Sequence, residues 1–216
     1  LIGNNELTIE DLASFWQAIA KEFSTFKNIY GYGLMNEPHD LAPETKWFDM
    51  AQASINAIRE VDTNTLIMVG GNDWSSAERW IEQSDTLKFL KDPANNLAFE
   101  AHVYFDKDAS GTYKYSYEEE ECYPEKGIDR VKPFVEWIKQ NKFHGFIGEY
   151  GIPDNDPRWN ETLDLFLGYL QENGINGTYW AAGPWWDTYF MAITPKDGKD
   201  RPQMPIIEKY TSTLKK

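Results

Sequence analysis

From Thr8 onward, stretches with helical spacing alternate with short apolar runs, and this alternation restricts the fold more than any other feature. In "TIEDLASFWQAIAKEF", Leu12, Phe15, Ile19 and Phe23 share one helical face, with Thr8 as N-cap and acids in the first turn. "KNIYGYGLM" then reads as a short strand. "KWFDMAQASINAIREVD" repeats the helical spacing through Trp47, Met50, Ala51, Ile55 and Ile58, and "TLIMVGG" is a buried strand. The order continues with a short helix in "ERWIEQ", a strand in "NLAFEAHVYF", and a helix in "DRVKPFVEWIKQN", where Asp129 is placed to cap and Pro133 falls near the first turn. "GFIGEYG" is the next strand. The following helix, "DPRWNETLDLFLGYLQEN", starts with Asp156 as N-cap and Pro157 at its first position and stops at Gly174. "NGTYWAA" is the last strand and "MPIIEKYTSTL" a closing helix. Strands spaced by helices in this way imply a parallel sheet covered by helices, an α/β fold. No glycine-rich phosphate fingerprint follows any strand, which argues against a dinucleotide fold.

With 216 residues, 41% of them hydrophobic, the chain can bury one sizeable core, and the whole of 1–216 reads as a single domain. Its formal charge of −14 disfavours nucleic acid and anionic membrane surfaces as partners. No apolar run approaches the roughly 20 residues of a membrane span, and no signal peptide is visible. The start at Leu1, without a methionine and already close to a helix, reads as a cut through something longer. Cys122 cannot form an internal disulfide, and its acidic neighbours in "YEEEECYPE" disfavour a thiolate. The polar connection Asp106 to Gly127 is longer than an ordinary βα loop and reads equally as cleft wall and as solvated excursion.

The strand interiors are apolar, and their C-terminal ends are polar or aromatic. Asn36 and Glu37 end the first, Asn72 and Trp74 the second, His102 and Tyr104 the third, Glu149 and Tyr150 the fourth, and Tyr179 and Trp180 the last. In a parallel α/β sheet these ends lie on one side, and in a barrel that side carries the active site. Glu37 and Glu149 are therefore candidates for a carboxylate pair. Two glutamates facing one cleft repel, one stays protonated near neutrality, and the acid and base needed to cleave a glycosidic bond coexist. His102 and Tyr104 are two apart and share a strand face, where they either line the sheet as a hydrogen-bonded pair or orient a carboxylate. Trp residues suit a cleft because a sugar has an apolar face that stacks on indole.

The stretches "GLMNEPHD", "AHVYFD", "FIGEYGIP" and "TYWAAGPWW" resemble, in order, the motifs of glycoside hydrolase family 5, especially its endo-β-1,4-glucanases. The resemblance implies a (β/α)8 TIM barrel, here incomplete, carrying about strands four to eight with their helices and lacking the N-terminal strands. It implies a retaining glycoside hydrolase that cleaves internal β-1,4-glucosidic bonds by a two-glutamate double displacement. Glu37 matches the acid/base and Glu149 the nucleophile. Asn36 matches the residue on the sugar 2-hydroxyl next to the scissile bond, His102 and Tyr104 the pair lining that subsite with the Tyr hydroxyl on the nucleophile, Trp180 the aromatic platform under the same sugar, and Trp74 a tryptophan at another substrate subsite. The implied partner is a β-glucan polysaccharide, with no cofactor and no metal, and the implied location is extracellular. A mannanase or xylanase preference is the neighbouring alternative. A different class of reading is an inactive sugar-binding or half-barrel fragment that needs the missing N-terminal part of the barrel as partner. Trp185 and Trp186 could also stack a sugar, but two adjacent Trp seldom point the same way, so one is expected to pack. His39 and Asp40 read equally as site residues and as loop structure, since Asp at a helix start is an ordinary cap.

Overall fold

The computed structural model describes residues 7–41 and 46–211. Its strands are β1 (Gly31–Gly33), β2 (Leu66–Gly70), β3 (Leu97–Tyr104), β4 (His144–Gly151) and β5 (Asn176–Tyr179), neighbours in chain order within one sheet. β1 and β2 run parallel with Tyr32 opposite Ile67, and β2 and β3 run parallel with Val69 opposite Phe99. The chain divides into two compact units, 1–101 with 136–146 and 102–135 with 147–216.

In the first unit, α1 (Ile9–Phe23) opens as the sequence indicates: Thr8 accepts from the Asp11 amide, and the Asp11 carboxylate accepts from the Thr8 amide, a reciprocal capping box. Its buried stripe differs from the expected one. Leu12 and Ala20 are inside, Trp16 donates from Nε1 to the Leu34 carbonyl at 3.1 Å, and Phe15 and Phe23 are exposed. Trp16 lies between Leu12 and Ala20 at four-residue spacing, so docking through its indole turns that line inward and rotates Phe15 out. The helix α2 (Trp47–Arg59) buries Trp47, Met50, Ala51, Ile55 and Ile58, as its spacing requires. Trp47 donates to the Gly70 carbonyl at 2.7 Å, fixing α2 to the end of β2. Strand alternation sends Phe99 of β3 to the helix side, where it meets Trp80, Trp137 and Phe143 at ring-centre distances of 4.8 to 6.4 Å.

In the second unit the core is Phe105 against Phe166, Trp159 against Tyr113 and Tyr117, and Tyr150 against Phe166. The helix Lys126–Asn141 begins three residues before the expected Asp129, so Asp129 sits in its first turn and Pro133 lies inside. Buried Val131, Phe134 and Val135 hold this helix despite the amide that proline lacks. The helix Arg158–Glu172 starts one residue later than expected: Pro157 occupies the cap position, and the Asp156 carboxylate accepts from the Arg158 amide at 2.9 Å. Gly174, at φ 67°, ends this helix, and the Ile175 amide returns to the Leu170 carbonyl at 3.0 Å. The closing helix is Met204–Tyr210; the rest of its expected span, 212–214, lies outside the described residues. Among the described residues no helix is long and apolar enough to cross a membrane.

Candidate active site

The second unit assembles three of the expected residues. His102 and Tyr104 project from the same face of β3 and are both buried. The Tyr104 hydroxyl donates to Glu149 Oε2 at 2.7 Å, and His102 Nδ1 stands 3.6 Å from the same oxygen. Burial, and then the charge of Glu149, push the Tyr104 phenol well above its ordinary value, so it remains a proton donor to the carboxylate. Glu149 is largely enclosed, with 13% of its side chain accessible. A carboxylate this enclosed persists only with such partners, since removing an ionised group from water costs several kcal/mol.

Tyr150, at the same strand end, does not join them. The alternation of β4 turns it to the helix side against Phe166 and Tyr179, where burial pushes its hydroxyl up to about 12. Tyr179 likewise faces inward and exchanges hydrogen bonds with the backbone of Ile152 at 3.1 Å. Trp180 is half-buried; its amide donates to the Tyr150 carbonyl at 2.8 Å, and the Trp180–Ala181 peptide is cis. Trp186 packs edge-on to Trp180 at 4.9 Å and contacts Tyr189 at 5.1 Å, whereas Trp185 is 89% exposed. The adjacent pair thus divides as expected into one packed and one exposed indole.

The long connection is neither plain excursion nor bare wall. Buried Asp106 accepts from the amides of Gly111 and Thr112 at 3.0 Å and from Ser110 Oγ, and buried Glu120 accepts from the amides of Lys107 and Tyr115 at 2.8 and 2.9 Å. These two acids wind the loop so that the Tyr113 hydroxyl donates to the Gly151 carbonyl at 2.6 Å and accepts from the Phe105 amide at 2.9 Å. The loop therefore braces the ends of β3 and β4, which carry Tyr104 and Glu149. Sequence reading missed Tyr113 because its partner is 38 residues away. Cys122 is half-buried, and burial, rather than its acidic neighbours, raises its thiol.

In the first unit, Asn36 and Glu37 follow β1. Glu37 has a left-handed backbone, φ 47°, as do Asp40 at 48°, Asp73 at 55°, Trp74 at 56° and Ser75 at 54°. Each such non-glycine residue costs about 1–2 kcal/mol, and residues so placed concentrate at functional sites. Trp74 is 42% exposed, with the His39 ring stacked on its indole at 4.5 Å and 14°. Among the described residues Asp40 caps no helix: the N-cap of α2 is Lys46, and Asp40 Oδ2 lies 2.9 Å from His39 Nδ1. A cavity of about 420 Å3 opens here, lined by Pro38, His39, Asn72 and Trp74 among others. Asn72 is structural, its side chain donating to the Gln83 carbonyl at 2.9 Å.

Parallel strands in chain order, joined by helices, define the class: a TIM-barrel architecture, of which this chain holds five strands. The comparisons give the particular family. Residues 1–185 match the model of "Cellulase (glycosyl hydrolase family 5)", and the chain belongs to that family. Endo-beta-1,4-glucanase B of Emericella nidulans is 36% identical over 193 residues, 87% of this chain and 56% of that protein. The structure of Pseudomonas stutzeri endoglucanase Cel5A in complex with cellobiose superposes with a TM-score of 0.91 at 42% identity, covering 99% of this chain and 64% of that one. XacCel5A in complex with cellopentaose gives a TM-score of 0.87 at 37% identity, covering 97% and 68%. The chain thus spans little more than half the length of the curated relatives it matches.

Proposed function

We propose that this chain is the catalytic-residue-bearing part of a retaining endo-β-1,4-glucanase, with Glu149 as nucleophile and Glu37 as acid/base. The observation that carries the reading is the hydrogen bond from Tyr104 to Glu149 at 2.7 Å. It holds the carboxylate in one orientation and leaves a lone pair to attack. In the proposed first step Glu149 bonds to the anomeric carbon, the glycosidic C–O bond breaks, and the departing oxygen takes the proton of Glu37. In the second step water bonds to the anomeric carbon, the ester C–O bond to Glu149 breaks, and Glu37 accepts the proton of the attacking water, which releases the sugar and restores both glutamates. Asn36, His102 and Tyr104 would hold the sugar at the cleaved bond, Trp180 would lie beneath it, and Trp74 would stack a neighbouring residue. Glucan is favoured over mannan or xylan because the relatives are named endo-beta-1,4-glucanases and one neighbour holds cellopentaose. A polymeric substrate that cannot enter a cell implies secretion, and the whole of 1–216 is read as one catalytic domain acting with the preceding part of the same barrel.

The test is kinetic, in the full-length protein. Glu149→Gln and Glu37→Gln should each reduce hydrolysis of soluble β-glucan, the latter by about 10²- to 10⁴-fold as expected for loss of a general acid. Near-normal rates in both variants would sink the assignment. Proton NMR of the first-formed reducing end should show the β-anomer, and comparative rates on carboxymethyl-cellulose, mannan and xylan should favour the first.

A further inference from the structure

The acid/base assigned to Glu37 sits on a turn whose backbone is left-handed at Glu37 and again at Asp40. That turn rests on a second left-handed turn, Asp73 to Ser75, through two contacts. The Trp74 amide donates to the Pro38 carbonyl at 3.4 Å, and the His39 imidazole lies flat on the Trp74 indole at 4.5 Å. Asp40 completes the arrangement 2.9 Å from His39 Nδ1. The second turn is itself fixed to the body of the unit. Ser75 is fully buried with its hydroxyl on the Gly71 carbonyl at 3.3 Å, Asp73 pairs with Arg79 at 2.5 Å, and the Asn72 amide donates to Ser84 Oγ at 2.9 Å. The first turn is thus hung on a rigid peg, and the peg is Trp74.

We propose that His39 is a positioning residue for the acid step: its stack on Trp74 sets the aim of the Glu37 carboxyl, two residues before it. This deepens the reading of Glu37 as the acid and rests on it. The covered indole face also leaves only the other face and edge of Trp74 for a sugar in the adjoining cavity. A glucan residue seated there would press on the support that sets the acid.

When the C–O bond breaks, its electron pair goes to the departing oxygen, which takes the Glu37 proton. A weakly basic leaving group departs without that proton, so a misaimed acid slows poor leaving groups and spares good ones. The experiment measures kcat/KM of the full-length protein on aryl β-cellobiosides of graded leaving-group basicity, from 2,4-dinitrophenyl to phenyl, and on cellotetraose. This parameter reports steps only up to the first cleavage. His39→Ala should lose about 10- to 100-fold on cellotetraose and the phenyl glycoside, the scale of an ångström of misplacement, and change less than about 3-fold on the dinitrophenyl glycoside. His39→Phe, which keeps a flat ring on the indole, should recover most of the loss. Equal losses across the series, or none, would overturn the proposal. Glu37→Gln run in parallel separates the two ideas. If its losses are also flat across the series, the acid assignment fails; if they are graded while His39→Ala is not, only the positioning role fails.

Discussion

Replacing Asp62 by asparagine tests how the first unit is held together. Asp62 follows α2 and is buried, and its carboxylate accepts from the Asn64 and Thr65 amides at 2.9 Å, from Thr65 Oγ1 at 2.6 Å and from the Tyr32 hydroxyl of β1 at 2.8 Å. Burial alone would raise its pKa; the hydrogen bonds from Thr65, Asn64 and Tyr32 outweigh it and hold the carboxyl at about 2. A group that ordinarily titrates at 3.8 and is held at about 2 contributes roughly 2.5 kcal/mol of stability at neutral pH. Because the folded value lies below the ordinary one, this contribution is complete above about pH 5 and fades as the pH falls toward 2. Asp62→Asn should therefore lower Tm at pH 7 by about 5 °C, and the gap from the wild type should narrow steadily between pH 5 and pH 3. Urea unfolding at each pH gives the same difference as a free energy. A gap independent of pH, or none at pH 7, would refute the hydrogen-bonded carboxylate as its source. Tyr32→Phe should reproduce only a part of the loss, about 1 kcal/mol, and should loosen β1, the strand that leads to Glu37.

Three further outcomes are expected. Tyr104→Phe should reduce kcat/KM on soluble β-glucan by about tenfold or more, the value of a hydrogen bond to a charged group; an unchanged rate would remove Tyr104 from the site. Arg59→Met should destabilise by about 3–5 kcal/mol, because it strands the charge of Asp92, which now accepts from Arg59 at 2.7 and 3.0 Å with 1% of its side chain exposed. Adding Asp92→Leu should restore most of that in a double-mutant cycle read by urea unfolding. Trp185→Ala should leave Tm within the effect of about 0.5 kcal/mol typical of exposed sites, whereas Trp186→Ala should lower both Tm and activity, since it removes the ring that abuts Trp180.

Much of the fold was legible because it is written locally. The apolar spacing of α2, the Thr8–Asp11 box and the glycine that stops the helix before β5 each act within a few residues, so a pattern in the chain is also a contact in the structure. The strand ends were legible for the same reason, and four of them carry the motifs of the family. Errors came where a neighbour overrode the local pattern. The indole of Trp16 chose which face of α1 went inside, and buried Val131, Phe134 and Val135 kept Pro133 within a helix that begins before its expected cap.

The sequence by itself determined the alternation of helix and strand and the family to which the chain belongs, and it nominated Glu37 and Glu149 as the candidate pair. The resemblance already implied the Tyr104 hydroxyl on Glu149; only the tertiary structure decided that Tyr150 beside Glu149 faces the helices, that the 106–127 loop braces the strand ends through Tyr113, and that His39 lies on Trp74. The physical reason is the range of the forces involved. Periodicity and capping depend on residues three or four apart, whereas the hydrogen bonds of Tyr104 and Tyr113 join groups 45 and 38 positions apart. The left-handed turns at Glu37 and Trp74 are held by contacts that no local propensity favours.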